Sequence, residues 1–351
     1  MTSAGQQEGN AGTLRTVLFG YGLGGRVFHA PLIETDPRYS LDVIVTSDPA
    51  RAAAAQTAYP AAAVVPSAEA ALDLAADLDL AVISTPPATH APLGLAALEA
   101  GLGAVVDKPF AHSPEAARVL MDAAAATGQV LTVFQNRRWD GDFLTLKGLL
   151  GSGELGTVTR FESRMESFKP AVTKAWKRQA GADDGGGILF DLGPHLIDQA
   201  LQLFGPAQPV YAEVQARRQD GGPDDDVFVV LQHDSGVLSH LSMNSLAPQA
   251  GERFRVTGSK AAWVKRGTDP QEAQLDAGMR PKDPGYGSDE LAAWGLLGTD
   301  RSSAAVPTAP GRYQDFYAGL AAAILDGSEL PVDPAQSLRG LEIIRQIHTG
   351  I

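Results

Sequence analysis

Short apolar runs alternate with alanine-rich amphipathic stretches from Leu14 to about Phe134. The runs at 14–19, 41–46, 78–84, 104–106 and 130–134 have the length and the flanking turn residues of buried strands. The stretches between them predict helices at 24–34, 49–58, 88–100 and 114–126. Because strands and helices alternate, the pattern predicts βαβ units and an α/β domain with a doubly wound parallel sheet over residues 13–135.

After Phe134 the spacing of the apolar residues changes. Helices are predicted at 142–150 and 195–204, followed by alternating apolar and polar segments at 210–217, 226–233, 236–244, 253–257 and 261–264. Glycine and proline separate these segments tightly, as in an antiparallel sheet. Two helices at 313–326 and 334–348 close the chain, and residues 266–310, rich in Gly, Pro and Asp, form a long excursion. We therefore expect a second, α+β domain over residues 136–351 and a disordered tail over residues 1–12.

Composition narrows the class of protein. The chain of 351 residues is long enough for two domains, and its 44% hydrophobic and 20% charged residues are typical of a globular protein. It has no cysteine, which excludes disulfides and cysteine metal ligands, so we expect a cytoplasmic protein. A formal net charge of -13 disfavours nucleic acid as a partner. No apolar run approaches the roughly 20 residues of a membrane span, which disfavours a membrane.

The first predicted strand runs directly into a glycine-rich turn. Glycines at this spacing, between a strand and a helix, permit a tight turn and let the backbone approach a ligand closely. The N–H groups and the positive end of the helix dipole would hold a pyrophosphate. The sequence therefore predicts a Rossmann dinucleotide-binding domain whose turn consists of Gly20, Tyr21, Gly22, Leu23, Gly24 and Gly25.

The residues after the second predicted strand leave the choice of cofactor open. An acid in this place binds the ribose 2′-hydroxyl of NAD, which fits Asp48. A serine and an arginine suit the 2′-phosphate of NADP, which fits Ser47 and Arg51. If Asp48 only caps the helix that begins at Pro49, Ser47 and Arg51 remain for a phosphate. The sequence predicts NADP or NAD and favours NADP slightly.

A second glycine run, at 185–187, leads to Asp191 and His195. These two residues are four apart and share one face of a helix, and Pro194 suits the first turn of that helix. The pair fits a histidine held by a carboxylate and directed at a substrate, although a solvated pair on a helix surface has the same spacing. Lys108 follows the predicted strand at 104–106, at the edge where parallel sheets bind ligands. It is either a donor to a substrate oxygen or an ordinary surface lysine.

Further polar residues lie near the same predicted edge or at the domain junction. Each of them also fits a purely structural role, as a helix cap, a solvated side chain or a contact between domains. The acidic run at 224–226 is interpreted as a charged hairpin tip, because no histidine or further acid clusters with it, and no metal site is predicted. Five histidines without ligand spacing are expected to be structural or exposed: His29, His112, His233, His240 and His348. The candidates near the cofactor edge are Thr85, Pro86, His90, Asn136 and Trp176.

Four segments, GYGLGG, STPPATH, DKP and GGGILFDLGPH, together make the chain similar to the glucose-fructose oxidoreductase and inositol dehydrogenase (Gfo/Idh/MocA) family. The similarity runs from about Leu14 to the C-terminus. The stretches GYGLGGRVFHAPLI and FDLGPHLIDQALQLFG resemble the NADP-dependent scyllo-inositol dehydrogenases of that family. The resemblance implies a Rossmann domain and a second domain with a large open, mostly antiparallel sheet. It also implies a homodimer or homotetramer.

By position, the resemblance implies that Lys108, Asp191 and His195 are catalytic and contact a small polyol or sugar substrate. It implies that Asp107, which stands where a glutamate is usual, and Lys108 line the cofactor together with Thr85, Pro86, His90, Asn136 and Trp176. We expect an NAD(P)-dependent oxidoreductase that transfers a hydride between a secondary alcohol, or the matching ketone, and the nicotinamide. His195 would be the general base, Asp191 its orienter and Lys108 the donor to the reacting oxygen. The alternative is an NAD(P)-binding sensor or scaffold without turnover.

Overall fold

A computed structural model describes residues 12–171, 181, 185–218 and 222–350 of the chain. Two sheets organise these residues, one of six strands and one of eight. The predicted tail, except for Gly12, lies outside the described residues, and so does Trp176, which the sequence suggests for the cofactor site.

The apolar runs at the start of the chain form the six-stranded sheet. Its strands are Leu14–Phe19 (β1), Tyr39–Val45 (β2), Ala63–Val65 (β3), Leu80–Ile83 (β4), Gly103–Val106 (β5) and Leu131–Val133 (β6). They are parallel and lie in the order β3-β2-β1-β4-β5-β6. Every side chain of β4 and β5 is buried, as expected for a parallel sheet covered on both faces. The predicted doubly wound sheet is confirmed, although β3 was not predicted.

Helices connect these strands, and polar residues mark where several of them begin. Asp48, Ser67 and Ser113 each accept backbone N–H groups with a side-chain oxygen at the start of a helix. The turn after β1 begins as a π-helical segment, Gly24–His29, and continues as a regular helix. The helices of this unit are Ala30–Thr35 (α1), Pro49–Ala58 (α2), Ala68–Leu72 (α3), His90–Glu99 (α4) and Pro114–Thr127 (α5).

The second sheet carries most of the remaining chain. Its strands are Val158–Glu166 (β7), Ala207–Gln215 (β8), Asp226–His233 (β9), Leu238–Asn244 (β10), Phe254–Gly258 (β11), Ala262–Lys265 (β12), Gly295–Thr299 (β13) and Ser302–Val306 (β14). They lie in the order β14-β13-β12-β11-β7-β10-β9-β8. All neighbours are antiparallel except β7 and β10, which are parallel. The mostly antiparallel sheet is thus confirmed, and its central strand β7 was not predicted.

In the described part of this second unit the helices are Gly141–Ser152 (α6), Ile188–Phe204 (α7), Gln271–Asp276 (α8), Gln314–Asp326 (α9) and Pro334–Thr349 (α10). The region 266–310 is not the structureless excursion that its composition suggests, because it contains α8, β13 and β14. It is also tied to the sheet, since the fully buried Nζ of Lys265 lies 3.0 Å from Oδ2 of Asp289. Pairing of β13 with β12 and this buried ion pair explain why the region is ordered.

Helix α7, which carries Asp191 and His195, begins earlier than predicted. It starts at Ile188 instead of near His195, so Pro194 lies inside the helix and not in its first turn. The fold accepts the proline there at the loss of one backbone hydrogen bond, which proline cannot donate. Asp191 therefore lies in the first turn of α7, and His195 lies one turn later.

The acidic run closes the hairpin between β8 and β9, as predicted, and it also fixes the start of α7. The carboxylate of Asp224 accepts the backbone N–H of Leu189 at 2.8 Å, and its carbonyl oxygen accepts the N–H of Ile188 at 2.9 Å. A Cβ on Gly187 would lie 2.0 Å from Oδ1 of Asp224, so this glycine is required for the close approach. The carboxylate of Asp225 is also engaged in hydrogen bonds, because it accepts the backbone N–H groups of Arg217 and Arg218. The start of α7 is therefore set by a side chain that precedes β9.

We expect Asp224→Ala to lower the thermal midpoint by roughly 2–4 °C, because α7 loses a side-chain acceptor at its N-terminus. Asp224→Asn keeps an acceptor oxygen and should stay within about 1 °C of wild type on the same scale. Differential scanning calorimetry measures both. An unchanged midpoint for the alanine variant would contradict the capping role.

Candidate active site

The glycine turn follows β1 at the centre of the six-stranded sheet. Gly20 has a φ of 97°, and a Cβ on it would lie 2.4 Å from the carbonyl oxygen of Ser84. A Cβ on Gly24 would lie 2.3 Å from the hydroxyl of Ser84, and one on Gly25 would lie 2.0 Å from the oxygen of Gly20. The turn can therefore be built only from glycine at these positions. It exposes the first N–H groups of the helical segment to whatever lies above the sheet edge.

The other members of the turn divide between core and surface. Tyr21 is buried, and its ring meets that of Tyr59 edge-on at 6.4 Å between centroids. Leu23 is 46% exposed, so its side chain stands at the open side of the turn. Gly22 faces the helix that follows β2, because a Cβ on it would lie 3.9 Å from the guanidinium of Arg51.

Asp48 and Arg51 remain close together after β2, with Nε of Arg51 3.9 Å from Oδ2 of Asp48, but their main contacts differ. The Oδ1 of Asp48 accepts the backbone N–H groups of Ala50 and Arg51 at 2.9 and 3.0 Å, so the carboxylate caps α2. The guanidinium of Arg51 extends toward the glycine turn instead, with its side chain 57% exposed. Ser47 is exposed beside it. A cation and a hydroxyl thus remain available at the end of β2.

Lys108 crosses from the first unit to the second. It follows β5 and donates from Nζ to the Oδ1 of Asp191 at 3.0 Å and to the carbonyl oxygen of Asp191 at 2.8 Å. The preceding Asp107 accepts the backbone N–H of Lys108 at 2.7 Å and the hydroxyl of Ser84 at 3.0 Å. The end of β5, the end of β4 and the first turn of α7 are therefore joined through two adjacent side chains.

His195 lies one turn beyond Asp191 and is 5% exposed. Its Nδ1 is buried and forms no hydrogen bond with the residues that the structure describes. Burial lowers the pKa of His195 well below its usual value, and the cations Lys108 and Arg137 lower it further, against the opposing effect of Asp191. The imidazole is therefore neutral at pH 7 and able to accept a proton.

The contacts of Asp191 differ from the arrangement expected from the sequence. Its carboxylate accepts the ammonium group of Lys108, whereas the Nδ1 of His195 has no described partner. Asp191 acts on His195 through its charge, since it raises the pKa of the imidazole. The structure thus brings Lys108, Asp191 and His195 together, with the acid bonded to the lysine.

The remaining candidates line the edge of the sheet at different depths. Thr85 follows β4, and its hydroxyl accepts that of Thr89 at 2.6 Å. The ring nitrogens of His90 lie 2.8 Å from the carbonyl oxygens of Thr85 and Pro109, so this buried ring links the ends of β4 and β5. Pro86 leads into a short helical turn, and Asn136 is buried in the turn after β6.

Sequence reasoning missed a buried ion pair that fixes α7. Arg138 donates to both oxygens of Asp198, at 2.8 and 2.6 Å, and the two side chains are 9% and 6% exposed. Asp198 lies one turn beyond His195 on α7, and Arg138 belongs to the turn after β6. An acid three residues after a candidate base was the only sequence signal for this pair. It holds the middle of α7 against the turn after β6.

Two further features of the described residues concern metal ions and membranes. Among the described residues, no three side chains of His, Asp or Glu come together as a metal ion would require. None of the helices in the described part is long and apolar enough to span a bilayer.

Comparison with known proteins agrees with the two units. Residues 14–135 match the family model of the NAD-binding Rossmann fold of the Gfo/Idh/MocA oxidoreductases, and residues 143–264 match the model of the Gfo/Idh/MocA C-terminal domain. The chain belongs to the Gfo/Idh/MocA oxidoreductase family. The resemblance expected from the four sequence segments is therefore confirmed.

Several relatives of this Gfo/Idh/MocA protein match it over nearly the whole chain. The uncharacterized oxidoreductase YdgJ of Escherichia coli K12 is 40% identical, over 94% of each chain. The scyllo-inositol 2-dehydrogenase (NADP(+)) IolW of Bacillus subtilis 168 is 33% identical, over 95% of this chain and 92% of its own. Among solved structures, yvaA of Bacillus subtilis has a TM-score of 0.88 at 32% identity, covering 96% of both chains. The Gfo/Idh/MocA protein is thus an NAD(P)-binding oxidoreductase.

We expect Gly20→Ala to weaken the binding of NAD and NADP by at least tenfold, because its methyl group would meet the backbone of Ser84. Gly148→Ala in α6 is the control, since nothing lies within 4 Å of a Cβ there. Isothermal titration calorimetry with each nucleotide gives the Kd. Binding by the Gly20 variant within twofold of wild type would show that the turn does not hold the cofactor.

Proposed function

We propose that this protein is a reversible NADP-dependent dehydrogenase that acts on a secondary alcohol of a cyclic polyol or sugar. The observation that carries the proposal is the contact of Lys108 with Asp191, one helical turn from the buried, neutral His195. A cation that can donate to an oxygen and a base that can accept a proton are the two groups that alcohol oxidation needs.

The residues present fit a nicotinamide dinucleotide. Gly20, Gly24 and Gly25 let the turn pack tightly where a Cβ would clash with Ser84 or with the turn itself, and the helical segment presents its N-terminus to a ligand. The glycine turn would hold the pyrophosphate, with Asp107 and Lys108 at the neighbouring strand end. When bound, the nicotinamide supplies the acceptor of the hydride in oxidation and its donor in reduction.

The protein's own groups manage the proton and the charge on oxygen. In oxidation, His195 takes the hydroxyl proton while the carbon gives up its hydride and the C=O bond forms. Lys108 donates a hydrogen bond to the same oxygen and stabilises the negative charge that develops on it. Asp191 holds the ammonium group of Lys108 and favours the imidazolium that forms on His195. In the reverse direction, His195 returns the proton to the oxygen.

The substrate class is supported by the names of two relatives. IolW of Bacillus subtilis is a scyllo-inositol 2-dehydrogenase (NADP(+)), and a relative from Rhizobium meliloti, 30% identical over 76% of this chain, is an inositol 2-dehydrogenase. A ring carrying several hydroxyl groups also suits the charged groups of the site, because Lys108 and Asp191 can bind neighbouring oxygens.

The preference for NADP is supported by the positions of Asp48 and Arg51. Asp48 is engaged as the cap of α2, which leaves its carboxylate poorly placed to accept from a ribose hydroxyl. Arg51 extends over the glycine turn and can donate to a 2′-phosphate, with Ser47 beside it.

We expect Arg51→Ala to raise the Kd for NADP about tenfold, since a charge-assisted hydrogen bond to the phosphate is lost. The Kd for NAD, which lacks that phosphate, should change less than about twofold and serves as the internal control. Titration calorimetry measures both. An equal loss for the two nucleotides, or no loss for NADP, would contradict the assignment.

We expect His195→Ala to lower kcat for alcohol oxidation by roughly two to four orders of magnitude, because the proton acceptor is lost. The Kd for NADP should stay within about threefold, since the role is in the chemical step. The assay uses a panel of inositols and aldoses with NAD and NADP separately. Turnover at the wild-type level in the variant would rule out His195 as the base, and a panel without any substrate would favour the sensor.

The pH dependence of alcohol oxidation by the wild-type protein tests the protonation state of His195. Because the pKa of His195 is lowered well below its usual value, the base stays neutral as the pH falls to 6.5. We therefore expect kcat/KM for oxidation to fall less than twofold between pH 8 and 6.5. An acid limb with its midpoint at or above pH 6.5 would contradict the neutral base.

A further inference from the structure

One buried ring near the glycine turn has no part in the proposed mechanism. His29 ends the π-helical segment and is fully buried. Its ring lies 4.3 Å from that of Phe134, centroid to centroid, and edge-on to Tyr317 of α9. A polar ring is costly in such surroundings unless its nitrogens have partners. The partners of His29 therefore indicate what it does.

The two ring nitrogens of His29 face different groups. Nδ1 lies 2.7 Å from the hydroxyl of Tyr317. Nε2 lies 3.4 Å from Oδ2 of Asp107 and has no hydrogen-bond partner among the described residues. Because a carboxylate can only accept, the hydrogen between His29 and Asp107 is on Nε2, while Nδ1 lies within hydrogen-bond distance of the hydroxyl of Tyr317. His29 thus connects a helix of the second unit to the acid that precedes Lys108.

Asp107 is held on both of its oxygens. Oδ1 accepts the backbone N–H of Lys108, and Oδ2 accepts the hydroxyl of Ser84 and faces His29. Burial raises the pKa of Asp107, but the facing His29, followed by Lys108 and His90, brings it down to about 2. The carboxylate is therefore charged, and its orientation fixes the backbone from which Lys108 reaches Asp191.

We propose that His29 is a positioning residue, which holds the carboxylate of Asp107 in the orientation that places Lys108 against Asp191. The proposal rests on the function proposed above for Lys108. Without His29, the hydroxyl of Ser84 alone would restrain Oδ2, and the carboxylate could turn into the space of the ring. A donor to a reacting oxygen tolerates little displacement, since a shift of about 1 Å can lower a rate by two orders of magnitude.

Two amide substitutions separate the two nitrogens of the ring. His29→Gln places an amide nitrogen at the reach of Nε2, so it can still donate to Asp107. His29→Asn reaches only as far as Nδ1, so it can meet Tyr317 but not Asp107. Both side chains are uncharged and polar, which makes them matched controls for the loss of the aromatic ring.

We expect His29→Asn to lower kcat about tenfold and His29→Gln to restore it to within about threefold of wild type. The Kd for NADP, by titration calorimetry, should change less than threefold in both variants. In a Lys108→Met background, His29→Asn should have no further effect on kcat, because its effect acts through the lysine. Equal losses in the two variants, or a tenfold further loss in the Lys108→Met background, would overturn the proposal.

Crystal structures of the two variants decide the question without any turnover, and so separate this proposal from the proposed function. In His29→Asn, the Nζ of Lys108 should lie more than 1 Å farther from Asp191 than the 3.0 Å of wild type. In His29→Gln that contact should persist. An unchanged contact in His29→Asn would overturn the positioning role, whichever alcohol the enzyme oxidises.

Discussion

The site depends on the fixed placement of helix α7. The contact between Lys108 and Asp191 cannot supply this placement, because its side chains are 21% and 44% exposed and such pairs contribute little free energy. The bidentate pair of Arg138 and Asp198 is nearly excluded from water, so losing one partner would leave a buried charge uncompensated. This pair holds the middle of α7, and Asp224 holds its start. The exposed contact between Lys108 and Asp191 therefore depends on the buried ion pair between Arg138 and Asp198.

A second buried cation, Arg253, also has partners that fix α7. Arg253 is buried and donates to the hydroxyl of Ser163 at 2.6 Å and to the amide oxygen of Gln199 at 2.8 Å. Its guanidinium lies 3.8 Å from Asp142, which supplies the opposite charge. Gln199 belongs to α7, so this cation anchors the helix to the sheet as well. Each buried charge near His195 thus has a partner, and the imidazole is left neutral.

The sequence predicted the parallel sheet well because its strands are buried on both faces and stand out as apolar runs. Strand β3 was missed because it is a three-residue edge strand that is only partly buried, and β7 because Ser163 stands between Phe161 and Met165 on its buried face. Lys108 and Asp191 could be placed on facing elements from their motifs. Their direct contact and the role of Asp224 depend on tertiary packing and had no local signal, and the role of Asp198 was indicated only by its spacing from His195.

The last helix has a consequence for how the protein is made. Helix α10 packs on α5 and β6 of the first unit and on α7 and β8 of the second, with ion pairs from Glu342 to Arg118 and from Arg345 to Glu115. The packing of the first unit is completed only by residues near the far end of the chain, since Thr132 of β6 donates to the carbonyl oxygen of Val332 and Tyr39 of β2 donates to that of Tyr317. The surface that receives α7 is complete only once α10 has been synthesised. A chain interrupted before α10 would therefore lack part of the packing of both units.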